Sequence, residues 1–263
     1  MSAKKTNPNQ MTFLEHLGEL RRRIIYSLIF LGIAFCAMCF FTDRLLNIVL
    51  LPLKQVMPAG TSLIGTGVAE AFGAEMLVAG VAAVVISCPF WFYELWMFIS
   101  PGLYFKEKKL VFPFVIFATL FFVGGVYFGY HFVLPVGFQF FMDQYVSVGL
   151  SPQIKVSQYL SFTTSLLMAF GGTFELPIVV FFLGRIGLVT WRTMMRTAKY
   201  AVVIIFIVAG VLTPGPDVAS QILLAIPLLA LYFGSILLVA LTGKKKPMEK
   251  PSQLTKPDQT AKN

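Results

Sequence analysis

Charge is scarce in this 263-residue chain. Only 13 % of its residues are Asp, Glu, Lys or Arg and 57 % are hydrophobic, whereas about a quarter of a soluble domain is charged. An ordinary soluble domain is excluded. Histidine occurs only at His16 and His131, too isolated to suggest a metal site. Cysteine occurs only at Cys36, Cys39 and Cys88. All three lie in long apolar runs, where thiols are inert packing groups, so the CxxC spacing of the first two does not point to redox or metal chemistry. No Ser–His, paired-Asp or HExxH arrangement stands at membrane depth, which argues against an intramembrane enzyme. The cleavage pattern of a signal peptide is missing after the first apolar run.

What the chain does have is long apolar runs. Ile24–Phe41, Met76–Phe98, Leu110–Leu134, Tyr159–Leu183, Tyr200–Leu212 and Ile222–Leu241 are apolar enough to span, or nearly span, a bilayer core that takes roughly 20 helical residues. The predicted fold is an all-α polytopic membrane protein with six transmembrane helices. There is no clear internal repeat and no room for a soluble domain. The expected division is therefore an N-terminal tail over 1–12, one membrane domain over 13–242 and a polar, disordered tail over 243–263.

The net charge of +9 is distributed as a membrane protein distributes it, and does not suggest nucleic-acid binding. Bases cluster before the first run (Lys4, Lys5, Arg21, Arg22, Arg23), between the second and third (Lys106, Lys108, Lys109), between the fourth and fifth (Arg185, Arg192, Arg196, Lys199), and after the sixth. The alternate loops carry only Arg44, Lys54 and Lys155. By the positive-inside rule both termini face the cytoplasm.

The long loop Thr42–Glu75 mixes Pro52, Pro58 and several glycines with apolar residues and reads as a folded cap, with Pro52 at a turn. Pro135–Gln158 forms a second outer loop that can pack against it, and Thr213-Pro214-Gly215-Pro216-Asp217 forms a tight turn. Pro89, Pro113, Pro177 and Pro227 fall inside apolar runs and predict kinked helices curved into a concave bundle. Gly125 and Gly129 make a GxxxG pair suited to close helix packing. The fifth run has 13 apolar residues, which at about 1.5 Å per residue covers only ~20 Å of a ~30 Å core.

Acids stand where bases are expected. Glu19 sits in His16-Leu17-Gly18-Glu19-Leu20-Arg21-Arg22-Arg23, and Glu107 in Pro101-Gly102-Leu103-Tyr104-Phe105-Lys106-Glu107-Lys108-Lys109. Two readings are open: the acids are internal partners of the neighbouring bases, or they form a site for a cationic ligand with guanidinium groups. Glu94 reads as a snorkelling or paired carboxylate. Glu175, two residues before Pro177, is either a functional carboxylate at membrane depth or a neutral group bonded to carbonyls freed by the proline. Asp217 suits capping of the sixth helix.

The ordered set of motifs resembles the TatC family, the large polytopic subunit of the twin-arginine protein translocase. It comprises His16-Leu17-x-Glu19-Leu20-Arg21-x-Arg23, Pro101-Gly102-Leu103-Tyr104-x-x-Glu107, Phe174-Glu175-x-Pro177, Thr213-Pro214-x-Pro216-Asp217 with Gln221, and Ala225-Ile226-Pro227. The last turn has one residue more than the family's shortest form. The resemblance implies a receptor in the bacterial cytoplasmic membrane, not an enzyme, and no cofactor. It implies binding of arginine-pair signal peptides of folded proteins, with export driven by the protonmotive force. Glu19 and Glu107 would receive the arginine pair, supported by Leu20, Arg21, Arg23, Pro101 and Tyr104. It also implies a polar, water-accessible face around Glu175. Val211, Leu212, Thr213 and Gln221 would contact the single-span helices of TatA- and TatB-type partners in an oligomeric complex, with Pro52, Pro214 and Asp217 as structural residues. The alternative class is a secondary transporter using the intramembrane carboxylate, against which the absence of a repeat counts.

Overall fold

In a computed structural model of the chain the described residues are 13–57, 63–99, 111–149, 152–185, 187–213 and 218–242. Six helices among them are long and apolar enough to cross a membrane. The first is α1 (Phe13–Cys39), followed by a separate helix α2 (Thr42–Val56) and the second span α3 (Glu70–Ile99). The third span is α4 (Val111–Phe128) continued through a π-helical turn at Gly129–Val133 into α5 (Leu134–Ser147). The fourth is α6 (Val156–Phe174) and α7 (Leu176–Arg185), interrupted at Glu175, and the last two are α8 (Trp191–Leu212) and α9 (Val218–Thr242). The six-span, all-helical expectation is met.

Several sequence boundaries move. Helix α1 begins at Phe13, so Glu19 and the three arginines lie within it rather than before it. The third span continues past Leu134, with the π-helical turn Gly129–Val133 standing directly before Pro135, the kind of local adjustment by which a membrane helix admits a proline. The expected outer loop from Pro135 is therefore mostly helix. Helix α8 has 22 residues, about 33 Å at the usual rise, so the helix is longer than its apolar part. Its first three turns carry Arg192, Arg196 and Lys199, and the 13 apolar residues counted from sequence are its remainder.

Pro52 is also misplaced by the sequence reading: it lies inside α2, not at a turn. A proline there leaves the carbonyl four residues earlier without its helical donor. That carbonyl belongs to Ile48, and the Tyr130 hydroxyl donates to it at 2.6 Å. The Tyr159 hydroxyl donates to the adjacent Val49 carbonyl. Two tyrosines thus fasten the cap helix to the third and fourth spans, with Leu53 fully buried beneath it.

The two loops expected on the outer side do meet, in a short parallel strand pair of β1 (Leu63–Ile64) with β2 (Ile154–Lys155). Glu70 locks this junction. Its carboxylate accepts the backbone N–H of Ser157 at 3.0 Å, at the start of α6, and that of Gly67 at 3.0 Å, together with the Thr66 N–H and hydroxyl. One acid satisfies donors from both loops, and sequence reading did not single it out.

The main apolar core joins α2, α3, α5, α6, α8 and α9 around Leu53, Leu134, Leu160, Leu166, Phe170 and Leu228. A second cluster, toward the arginine-bearing end, packs Trp96 against Phe114 in a tilted pair at 3.7 Å and sets it edge-on to Phe182 at 4.6 Å. Helices α4 and α6 approach closely at Gly125, where a Cβ would lie 2.6 Å from the Phe170 carbonyl oxygen and 2.8 Å from Phe174 Cβ. The glycine pair is a packing device, as read from sequence: Gly129 also faces α6, through Leu167.

Candidate recognition site

Helix α1 runs antiparallel to α3, and three contacts along the pair fix their register. His16 stacks on Phe98 at 4.4 Å, Arg23 bonds Glu94, and Phe30 stacks on Phe90 at 4.6 Å. The site residues occupy the first three turns of α1. A spacing of four puts Glu19 and Arg23 on one helical face, and that face turns toward α3.

There Arg23 bridges two acids. Its Nη1 donates to Glu94 Oε2 at 2.8 Å and its Nη2 to Glu19 Oε1 at 3.2 Å. The Glu94 side chain is 9 % exposed and that of Glu19 19 %, so the shorter contact is also the more deeply buried one. Arg23 Nε is buried without an acceptor. Glu94 is thus paired, one of the two readings its sequence position allowed. Arg22 is turned away: its Nε donates to the Tyr26 hydroxyl at 2.9 Å and its guanidinium lies over that ring. Arg21 is exposed and Leu20 half-buried. Pro101, Tyr104 and Glu107 lie outside the described residues, in the connection between Ile99 at the end of α3 and Val111 at the start of α4.

This geometry can bind cations. A half-buried carboxylate held in place by a neighbouring arginine needs little reordering to accept the planar, two-pronged donor set of a guanidinium.

Residues 15–227 match the family described as Sec-independent protein translocase protein (TatC). The chain belongs to the TatC family. A relative from Desulforapulum autotrophicum, named Sec-independent protein translocase protein TatC, is 44 % identical over 89 % of this chain and 86 % of its own length. A TatC protein of Helicobacter pylori strain J99 is 38 % identical over 87 % of this chain and 88 % of its own. A crystal structure described as the twin-arginine translocase receptor TatC superposes with a TM-score of 0.80 at 34 % identity, covering 87 % of this chain and 99 % of that one. The protein is accordingly a multi-pass membrane component of a TatC-type translocase and not an enzyme.

The other residues singled out from sequence lie elsewhere in this TatC fold. Glu175 occupies the break between α6 and α7, half-buried, with Oε1 lacking a hydrogen-bond partner. Phe174 and Pro177, on either side of it, line a recess of about 310 Å³ with Phe128, Pro227, Leu231 and Gly234. At the end of α8, Val211 is 80 % exposed and Leu212 half-buried. Thr213 caps the helix, its N–H donating to Ala209 O and its hydroxyl to Gly210 O. Gln221 Nε2 donates to the Phe206 carbonyl at 2.7 Å. Gly210 makes room for that amide, since a Cβ there would fall 2.9 Å from Nε2. Pro214 and Asp217 lie outside the described residues.

Proposed function

We propose that this protein is the receptor subunit of a twin-arginine translocase in the bacterial inner membrane, with both termini in the cytoplasm. It recognises the arginine-pair signal peptides of folded proteins and directs their export with TatA- and TatB-type partners, using the protonmotive force. The observation that carries the reading is Glu19, an acid oriented by Arg23 within a helix end otherwise crowded with arginines. Such a surface repels generic cations and rewards a ligand that brings guanidiniums to fixed acceptors. Glu19 would receive one arginine and Glu107 the other, with Leu20, Arg21, Pro101 and Tyr104 shaping the surroundings. Support comes also from the match to a solved chain described as the twin-arginine translocase receptor.

The reading is tested by photocrosslinking an arginine-pair signal peptide to probes placed beside Glu19 and beside Glu107. Adducts at both positions, competed by unlabelled peptide, are expected. Adducts that form only on the opposite end of the bundle would contradict it.

The second element of the proposal is partner docking at the end of α8. Val211 presents an apolar side chain to the surroundings, and Gln221 brings an amide to membrane depth, one of whose two N–H groups is committed to Phe206. Polar contacts between membrane helices contribute only about 0.6 to 2 kcal/mol, which suits exchangeable partners in an oligomeric receptor complex. Cysteines at Val211 or Leu212 should therefore crosslink to TatA- or TatB-type helices, in a pattern that changes when substrate binds. Capture of those partners by cysteines on α1 or α4, with only lipid adducts at 211 and 212, would move the docking face.

A further inference from the structure

The cluster at the α1–α3 contact has an uneven charge count. Two carboxylates, Glu19 and Glu94, share one guanidinium, and among the described residues the ion pairs of both go to Arg23. Arg21 and Arg22 face away, one exposed and the other bonded to Tyr26. Among the described residues one negative charge in a half-buried setting is left without a counterion, and such a charge is costly unless a cation completes it. The two halves of the bridge are also unequal. Arg23 is anchored on the deeper Glu94 at 2.8 Å, and holds the more exposed Glu19 at 3.2 Å. Its Nε is buried and without an acceptor.

We infer that Arg23 is a built-in surrogate for the ligand's guanidinium and that Glu94 is the positioning residue that lets it yield. This rests on the reading of Glu19 as a ligand carboxylate. In the resting receptor Arg23 spans both acids and keeps Glu19 extended toward α3. When a peptide arginine arrives at Glu19, Arg23 closes fully on Glu94, and one shared pair becomes two matched pairs. Glu94 does not touch the ligand. It keeps Arg23 from neutralising Glu19.

Removal of the Glu94 charge reverses this logic. In Glu94→Gln the cluster becomes one acid and one base, Arg23 pairs wholly with Glu19, and the peptide must break that pair to bind. In Glu94→Gln/Arg23→Gln, Glu19 again stands as an acid without an internal partner. A residue that merely fastened α1 to α3 would behave differently, since the double variant removes the fastening altogether.

The test uses the full-length protein in nanodiscs and the fluorescence anisotropy of a labelled arginine-pair signal peptide. Thermal unfolding of each variant serves as the folding check. Glu94→Gln should weaken binding roughly tenfold, the scale of one charged hydrogen-bonded contact. Glu94→Asp, which keeps the charge, should bind within about threefold of wild type, and the Glu94→Gln/Arg23→Gln double variant more tightly than Glu94→Gln. Wild-type affinity in Glu94→Gln while Glu19→Gln loses affinity overturns the surrogate alone, as does a double variant no better than Glu94→Gln. Unchanged affinity in Glu19→Gln overturns the recognition reading itself, and the surrogate with it.

Discussion

Glu19→Ala and Glu107→Ala should each weaken binding of an arginine-pair signal peptide by about 1 to 3 kcal/mol, roughly 5- to 150-fold in Kd. The protein should remain inserted and folded in both. For Glu19 the reason is structural: Arg23 keeps its shorter contact to Glu94 when Glu19 is truncated, so no buried charge is orphaned and the α1–α3 register survives. The stacks of His16 on Phe98 and Phe30 on Phe90 hold the same two helices from either side. Titration of a labelled peptide against purified variants checks the loss. An affinity unchanged in both variants would remove the two acids from recognition.

Gly125→Leu should cost about 3 kcal/mol or more and lower the yield of folded protein sharply. Overpacking a membrane core usually costs 1 to 3 kcal/mol through side chains that shift. Here the obstacle is the Phe170 backbone carbonyl, 2.6 Å from the new Cβ, and the base of the Phe174 side chain, neither of which can rotate away. The helices must separate, and with them the seating of Phe170, which is fully buried in the main core. Gly124→Leu is the control, because a Cβ at that neighbouring position meets nothing within 4 Å. Thermal unfolding in detergent should separate the two variants clearly. Equal stability would mean that α4 and α6 are not in backbone contact at Gly125.

How much of this was legible beforehand follows from which signals are local. Long apolar runs report spans directly, because a bilayer core demands some twenty helical residues without charge, and all six were found. The ends were not, for a physical reason: a helix continues into water wherever its residues permit, as α1 does through Glu19 and the arginines and α8 through Arg192 to Lys199. Pro135 looked like a boundary but follows a π-helical turn through which the helix continues. Pro52 looked like a turn but sits in a helix whose freed carbonyl is bonded by Tyr130, 82 residues away along the chain.

The acids proposed for recognition were legible as anomalies, since an acid in a basic collar stands out in one dimension. Their geometry was not. The bridge from Arg23 to Glu94 spans 71 residues, and nothing in either local pattern names the other as partner. Glu70 escaped for the same reason: its partners are backbone N–H groups of two separate loops, and backbone donors leave no trace in the sequence. Gln221 drew attention as a polar group in a span, while the carbonyl it bonds and the glycine that admits it became visible only in the folded chain.

The central claim is that two carboxylates read a pair of guanidiniums rather than a pair of positive charges. Lysine carries the same charge but lacks the planar fork that engages a carboxylate through two parallel hydrogen bonds. The direct measurement is the Kd of the wild-type protein for two signal peptides that differ only in an arginine pair or a lysine pair, at one ionic strength. The arginine-pair peptide should bind at least about tenfold more tightly. Equal affinity for the two would contradict the account.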